Sequence, residues 1–396
     1  MPMKILISGA GIAGTTLAFW LARFGFQPTI VEKAPHLRTG GYVIDFWGAG
    51  FDIANRMGLL PELFHKGYSP EEVRVVNRAG ERVAGFPTEA FSRVTNGRYI
   101  SLARGDLAAS IFHRLDRVET IFGDSIQQIE QSGQSAHVVF ETGLSRDFDL
   151  VVGADGLHSR VREIVFGPSS RFEIYLGYKA AAFSTDKYRP RDESVYVMYT
   201  EVGQQITRFA MHDDRTMFLF TFADGSPDRG EATEAGQKSL LRRRFGNSGW
   251  ECSQILDRLD AAKDLYYDRV SQIRMSSDDG LWSQGRVILV GDAAFCVSLL
   301  AGQGSALAMI AAYLLAGELH CANGDYAAAF ARYQNRFGSF VARKQRAALR
   351  LASSFAPGSR FALFLRNQVM NLMRWQWVAD FAIGRDLGDR ITIPDY

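Results

Sequence analysis

Cysteine is scarce in this chain: Cys252, Cys296 and Cys321 are the only three in 396 residues, with neither disulfide-like nor metal-like spacing. A disulfide framework is therefore excluded, and a reducing compartment is expected. Seven scattered histidines give no zinc signature, so no metal is expected. Charge of one sign is also lacking. The 45 basic and 43 acidic residues leave a net charge of +2, too little global field to recruit nucleic acid or an acidic membrane. The densest basic run, Arg242 to Arg244, reads as a solvated helix face. There is no internal repeat, low-complexity tract or long linker, and no Ser-His-Asp or paired-carboxylate constellation.

The first strand-like run begins after three residues, so no signal or transit peptide is expected and a cytoplasmic protein is. One long apolar stretch, Ala293 to Leu319, could be scored as a membrane span. Gln303 within it and Asp292 and Glu318 at its margins favour a buried helix, with no span. At 44.1 kDa and 47% hydrophobic residues, the chain is expected to form two domains and can enclose a large ligand.

What is present starts at the N-terminus. Lys4 to Ser8 (KILIS) reads as a buried parallel strand, and Gly9-Ala10-Gly11-Ile12-Ala13-Gly14 follows directly, opening a stretch with apolar Ile12, Leu17, Leu21 and Phe24. This is strand, tight turn, helix. Gly9 permits the turn, Gly11 lets backbone approach a pyrophosphate, and Gly14 lets the helix pack on its strand, while the helix N-terminus offers N–H groups to phosphate. A second strand, Pro28 to Val31, delivers Glu32 and Lys33. Glu32 lies 32 − 14 = 18 positions beyond the last glycine, close to the place of an acid that binds a ribose hydroxyl pair. Its carboxylate argues against a 2′-phosphate, so the adenosine end should be that of FAD or NAD.

Two further segments follow strand-like runs. Phe148 to Gly153 feeds Ala154-Asp155-Gly156-Leu157-His158-Ser159-Arg160-Val161-Arg162, a turn whose N–H groups can face anionic oxygens. Gly285 to Val290 feeds Gly291-Asp292, with Gly302-Gln303-Gly304 before another helix. Asp155, Gly156, Ser159 and Arg162, together with Gly291-Asp292 and the N-terminal glycines, resemble in order and spacing the three fingerprints of single-component FAD-dependent aromatic hydroxylases of the para-hydroxybenzoate hydroxylase type. The segment Gly40-Gly41-Tyr42-Val43-Ile44-Asp45 and the stretch Ala316-Gly317-Glu318-Leu319 are most similar to the tetracycline-inactivating branch.

The resemblance implies FAD as cofactor and NADH or NADPH as co-substrate. It places Asp292 on the ribityl hydroxyls, and the helix start at Gly302, Gln303 and Gly304 at the flavin pyrimidine. Asp155 falls near the pyrophosphate, Arg104 against ribityl and pyrophosphate, Asp45 against the flavin, and Arg38 among the cofactor-binding arginines. Together with Gly9, Gly11, Ile12, Ala13, Gly14, Glu32 and Lys33, these are the expected cofactor residues. No catalytic side chain is singled out, because the family's oxygen chemistry belongs to a flavin C4a-hydroperoxide. No second dinucleotide fingerprint is present, so nicotinamide is expected to visit transiently. The implied partners are molecular oxygen and a small aromatic or polyketide-like substrate.

Several positions depart from the family. Leu299 stands where a proline is usual, Phe295 where histidine or tyrosine is common, and Ser305 and Ala306 where an asparagine follows. Trp47 stands near the place of an arginine in the antibiotic-inactivating relatives. These changes make the expected flavin wall more apolar. They leave two alternatives open: a flavin-containing binding protein without turnover, and a flavin reductase or dehydrogenase that does not use oxygen.

The expected fold is α/β, with a Rossmann-like FAD-binding domain on a mainly parallel sheet, an antiparallel-sheet substrate domain, and C-terminal helices. The expected division gives 1–72, 99–171 and 281–325 to the first, 73–98 and 172–280 to the second, and 326–396 to the helices. Alternation predicts strands over Val195 to Tyr199, Ile206 to His212 and Met217 to Phe222, with turns at Asp213-Asp214 and Asp224-Gly225. Trp47, Phe209, Met211, Phe220 and Leu299 are candidate substrate-pocket residues, with core packing the competing fate of the aromatics. Helices are expected over about 326–353 and 359–381, with Trp375 and Trp377 packed against the fold.

Overall fold

The computed structural model describes residues 2–37, 40–225, 233–262, 264–276, 281–375, 378 and 391–396. One layer is organised by a six-stranded sheet drawn from both halves of the chain. The order across it is Ser283–Gln284, Val287–Leu289, Leu150–Gly153, Lys4–Ser8, Gln27–Glu32 and Glu119–Phe122, and only the first pair is antiparallel. The central strands read as continuous apolar runs because helices cover both faces of a parallel sheet. Ile5, Leu6, Leu150, Val151, Val152, Ile288 and Leu289 are fully buried.

Helix Ile12–Arg23 returns the chain from the first strand to the second and packs against Gly304–Cys321. Trp20 meets Tyr313 edge-on, with ring centroids 4.7 Å apart. Gly304–Cys321 is long and apolar enough by composition to cross a membrane, yet most of it is buried inside the fold. The apolar stretch is not one helix. A short helix Asp292–Phe295 and a 3-10 turn Leu299–Ala301 precede it. Near its end, the Glu318 carboxylate is buried and receives Arg332, Arg336 and the Tyr396 hydroxyl, tying helix Tyr326–Phe355 and the last residues to this helix.

A seven-stranded sheet forms the second layer system, in the order Tyr266–Ile273, Glu173–Asp186, Arg215–Ala223, Gln204–Ala210, Val195–Glu201, Glu72–Val76 and Arg82–Pro87. It is antiparallel except where Val195–Glu201 runs alongside Glu72–Val76. The three strands expected between residues 195 and 222 are present, with Asp213 and Asp214 in left-handed turn conformation between two of them. The fourteen-residue Glu173–Asp186 was not anticipated as a strand. Its outer end is intermediate in burial, so its pattern is neither alternating nor continuous.

One face of this sheet packs on helices Glu234–Phe245 and Cys252–Ala261 through Phe183, Phe218, Phe220, Phe222, Phe245 and Leu259. The other face carries a smaller cluster of Phe209, Met211 and Met217 against Ala103. That contact reaches the two-stranded ribbon Val43–Trp47 and Tyr99–Ala103. Helix Arg360–Leu372 lies against Arg82–Pro87. Trp375, expected to pack inside, is 53% exposed instead, and Trp377 lies outside the described residues.

Phe220 is fully buried between Phe183 and Phe245, on the helix-covered face. We expect Phe220→Ala to cost about 3–5 kcal/mol in denaturant unfolding, as deletion of a packed aromatic does. FAD affinity of the folded variant should stay unchanged, and a selective loss of affinity would place the ring at the ligand instead.

Candidate active site

Three segments separated by well over a hundred residues meet because their strands are parallel neighbours. Leu150–Gly153 lies between Lys4–Ser8 and Val287–Leu289, so all three C-terminal ends open on the same edge. The turns that follow touch. Gly9 has φ +105°, and a side chain there would put Cβ 2.6 Å from the Ala154 carbonyl oxygen. A Cβ on Gly14 would lie 2.0 Å from the Gly9 carbonyl oxygen, so the helix seats on its strand only with glycine there. On the third turn, Gly291 has φ +65° and its missing Cβ would meet Ala13 Cβ at 2.9 Å.

The second and third turns are joined by a buried cation. The Arg162 guanidinium, 0% exposed, donates to the Ala293 carbonyl at 2.9 Å and the Leu157 carbonyl at 2.7 Å. Asp155 faces its own turn. Its carboxylate accepts from Ser159 Oγ at 2.5 Å and from the Arg160 and Val161 amides at 2.7 and 3.1 Å. It thereby caps helix Arg160–Phe166, and Ala154, Gly156 and Leu157 are the members of this segment that face the open cleft. Glu32 likewise accepts backbone bonds, from Ala10 at 2.8 Å and Ala34 at 2.9 Å, which tie the first turn to the second strand.

Between the turns lies an open cleft. Gly11, Ile12 and Ala13 form one end; Asp292, Gly302, Gly304 and Ser305 line it along the third segment; Arg104 and Tyr42 stand on the ribbon side. The seven-stranded sheet closes it with Tyr266, Asp268, Arg269 and Ser271. Gly11 and Gly156 have nothing within 4 Å of where a Cβ would sit, in contrast to the crowded Gly9 and Gly14. Backbone at these two points is thus bare toward the cleft, as close approach of a pyrophosphate requires. The cleft also receives the N-terminus of helix Gly304–Cys321, an eighteen-residue dipole with its positive end inward. These features fit FAD.

Burial sets the protonation chemistry. Asp292 is pushed above the ordinary carboxylate value by desolvation, opposed by the Arg104 cation and by Cys296. The Cys296 thiol is pushed up by burial and by the facing Asp292. Tyr42 is pushed up to about 12 by burial, against the pull of Arg104, and Tyr266 also lies well above its ordinary value. The two rings stand 5.5 Å apart, neutral at physiological pH. Asp45 sits beside the cleft rather than on it. Burial raises it, while Ser101 at 2.5 Å and Tyr99 at 2.7 Å donate to its Oδ1.

A small neighbouring recess is lined by Asp45, Trp47, Gly302 and Gln303. Leu299 faces the main cleft, and Met211 a separate surface pocket with Tyr68 and Tyr196. Phe209 packs edge-on against Tyr196 at 4.6 Å. Lys33 is exposed at the end of the second strand, and Arg38 lies outside the described residues. Sequence reasoning missed Tyr266, Asp268, Arg269, Ser271, Cys296 and Ser298. Each sits on a strand or turn whose local pattern carries no ligand signal. Buried Gln272 and Gln345 hold this wall, with Gln272 donating to the Val297 and Gln345 carbonyls at 2.9 Å and Gln345 to the Ile273 carbonyl at 2.7 Å.

A cleft floored by three dinucleotide-type turns and roofed by an antiparallel sheet defines a flavoprotein of the two-layer type. Residues 2–329 match the model of the FAD binding domain family, and the chain belongs to that family. It is 32% identical over 398 residues to a flavin-dependent monooxygenase of Legionella longbeachae, covering 100% of this chain and 98% of that one. It is 38% identical over 343 residues to an uncharacterised Mycobacterium tuberculosis protein, Rv1260, covering 86% and 91%. The crystal structure of the tetracycline destructase Tet(51) superposes with TM-score 0.83 at 31% identity, covering both chains completely. The protein is an FAD-dependent monooxygenase, with oxygen and a small molecule as its substrates.

Gly11 and Gly14 separate ligand space from fold space. We expect Gly11→Val to fold normally and bind FAD at least about tenfold more weakly in a fluorescence-quenching titration. Gly14→Ala should instead lower the melting temperature, because its Cβ has no room. Equal FAD affinity in Gly11→Val and wild type would remove the pyrophosphate from this turn.

Proposed function

We propose that this monooxygenase takes reducing equivalents from NADH or NADPH and oxygenates a planar aromatic or polyketide-like small molecule. The observation that carries the reading is the convergence of three parallel strand ends on one cleft whose only crowding-free glycines, among Gly9, Gly11, Gly14 and Gly156, face the open space. The 31% identity to a tetracycline destructase over the whole chain supports a fused-ring substrate. FAD, when bound, supplies the electron transfer and oxygen activation.

The chain's residues do the rest. Gly11, Ile12 and Ala13 would offer backbone to the pyrophosphate, and Glu32, which orders that turn, would serve the ribose. Arg104 supplies positive charge to Asp292, which would accept from the ribityl hydroxyls. Asp155 and Arg162 act at one remove, holding the middle turn. The N-terminus of Gly304–Cys321 would hold the flavin ring by its N–H groups and would favour negative charge there. Leu299, Tyr42 and Tyr266 keep water from the reacting side. The seven-stranded sheet serves as the substrate domain, and nicotinamide enters transiently from solvent. We place the enzyme in the cytoplasm, consistent with three unpaired cysteines.

NADH and NADPH oxidation assays across phenols, quinones and tetracyclines test the reading. We expect one compound class to stimulate oxidation and to yield a product heavier by one oxygen atom. Stimulated oxidation without oxygenated product, or turnover under anaerobic conditions, would contradict it. Asp292→Ala should fold and purify without bound flavin; a fully yellow variant with unchanged turnover would remove Asp292 from cofactor binding.

A further inference from the structure

Helix Arg360–Leu372 is mounted inside out. A surface helix of a globular protein normally turns its apolar stripe inward. Here the polar side is held to the body. Asn371 accepts from the Gly85 amide at 3.2 Å and donates to the Val83 carbonyl at 3.3 Å, and Arg366 donates to Thr200 Oγ1 and Gln205 Oε1, both at 3.3 Å. Desolvation against the sheet pulls the Arg366 guanidinium down to about 10. The outward side shows Phe361 at 74%, Phe364 at 59%, Leu365 at 53% and Leu372 at 50% exposure, at spacings that share one helical face, and Trp375, just past the end of the helix, is 53% exposed. An apolar patch of this kind on an otherwise ordinary surface marks an interaction site.

Charge identifies what covers it. The whole chain is nearly neutral, yet between Asp325 and Asp380 there is no acidic residue and there are nine basic ones. Arg360 and Arg374 flank the apolar face and are exposed, as are Arg343 and Arg346 on the preceding helix. Aromatic and leucine side chains on one face, flanked by arginine without any carboxylate, are the chemistry of a helix lying in the headgroup layer of an anionic bilayer. A second copy of the chain would bring the same positive segment against itself.

We propose that the face formed by Phe361, Phe364, Leu365, Leu372 and Trp375 docks this enzyme reversibly on anionic lipid surfaces. The helix lies on the membrane and does not cross it: thirteen residues are too few for a span. The local positive segment thus supplies what the global charge does not. Docking would let a poorly water-soluble substrate reach the enzyme from the lipid phase.

Flotation of the full-length holoprotein with vesicles tests this, using phosphatidylcholine alone and phosphatidylcholine with about one-third phosphatidylglycerol. We expect flotation with the anionic vesicles, weakened by salt, and binding at least about tenfold weaker to the neutral ones. The variant Phe361→Ser/Leu365→Ser/Leu372→Ser alters exposed side chains only. It should keep its yellow colour and circular dichroism while losing vesicle binding by about the same factor. Absence of flotation, or equal flotation of the variant, would overturn the proposal. So would a wild-type dimer in light scattering that the variant converts to monomer.

Discussion

Close approach of backbone to backbone is the constraint on which the site depends. The Ala154 carbonyl occupies the space of a Gly9 side chain, and Ala13 that of a Gly291 side chain. These contacts form because the three strands before them are parallel, with Leu150–Gly153 between the other two, and end on the same edge. Arg162 then binds the middle turn to the third through two carbonyls. Such a buried cation is tolerated because carbonyls meet it. The result is a rim of closely packed glycine-rich turns, with bare backbone at Gly11 and Gly156.

The second sheet meets that rim along one edge strand. Tyr266–Ile273 brings Tyr266, Asp268 and Ser271 to the cleft, and Gln272 and Gln345 fasten it to the segment after Asp292. The two sheets are therefore coupled through buried amide hydrogen bonds, which are costly to leave unpaired. Desolvation then governs the chemistry inside. Asp292, Cys296, Tyr42 and Tyr266 are all pushed toward their neutral forms, with Arg104 the opposing influence on Asp292 and both tyrosines. Exclusion of water from such a cleft is what oxygen-activating chemistry would need.

The first turn, the parallel sheet and the three antiparallel strands were legible in the sequence because each has a local signature: a continuous apolar run, glycine at fixed intervals, or alternation. The family resemblance added the order of the three turns. Tyr266 and Ser271 were not legible, since their role comes from strand pairing with Ala182 and Tyr175, far away along the chain, which no local pattern records. Asp155 shows a different limit. Its place in the motif was visible, but not that its oxygens are spent on capping the next helix. Phe209 and Phe220 look alike in sequence and lie on opposite faces of one sheet, since alternation marks two faces without saying which one meets the site. Trp375 was read as packed because large aromatics usually are. The inverted mounting of its helix depends on Asn371 and Arg366 finding partners on distant strands.

Hydrogen–deuterium exchange of the flavin-stripped protein, with and without added FAD, reaches the central claim most directly. If one dinucleotide spans the rim, amides within 9–14, 154–157 and 302–306 should gain protection together, saturating at one FAD per chain. Protection confined to the first of these segments, or none in any, would contradict a shared site.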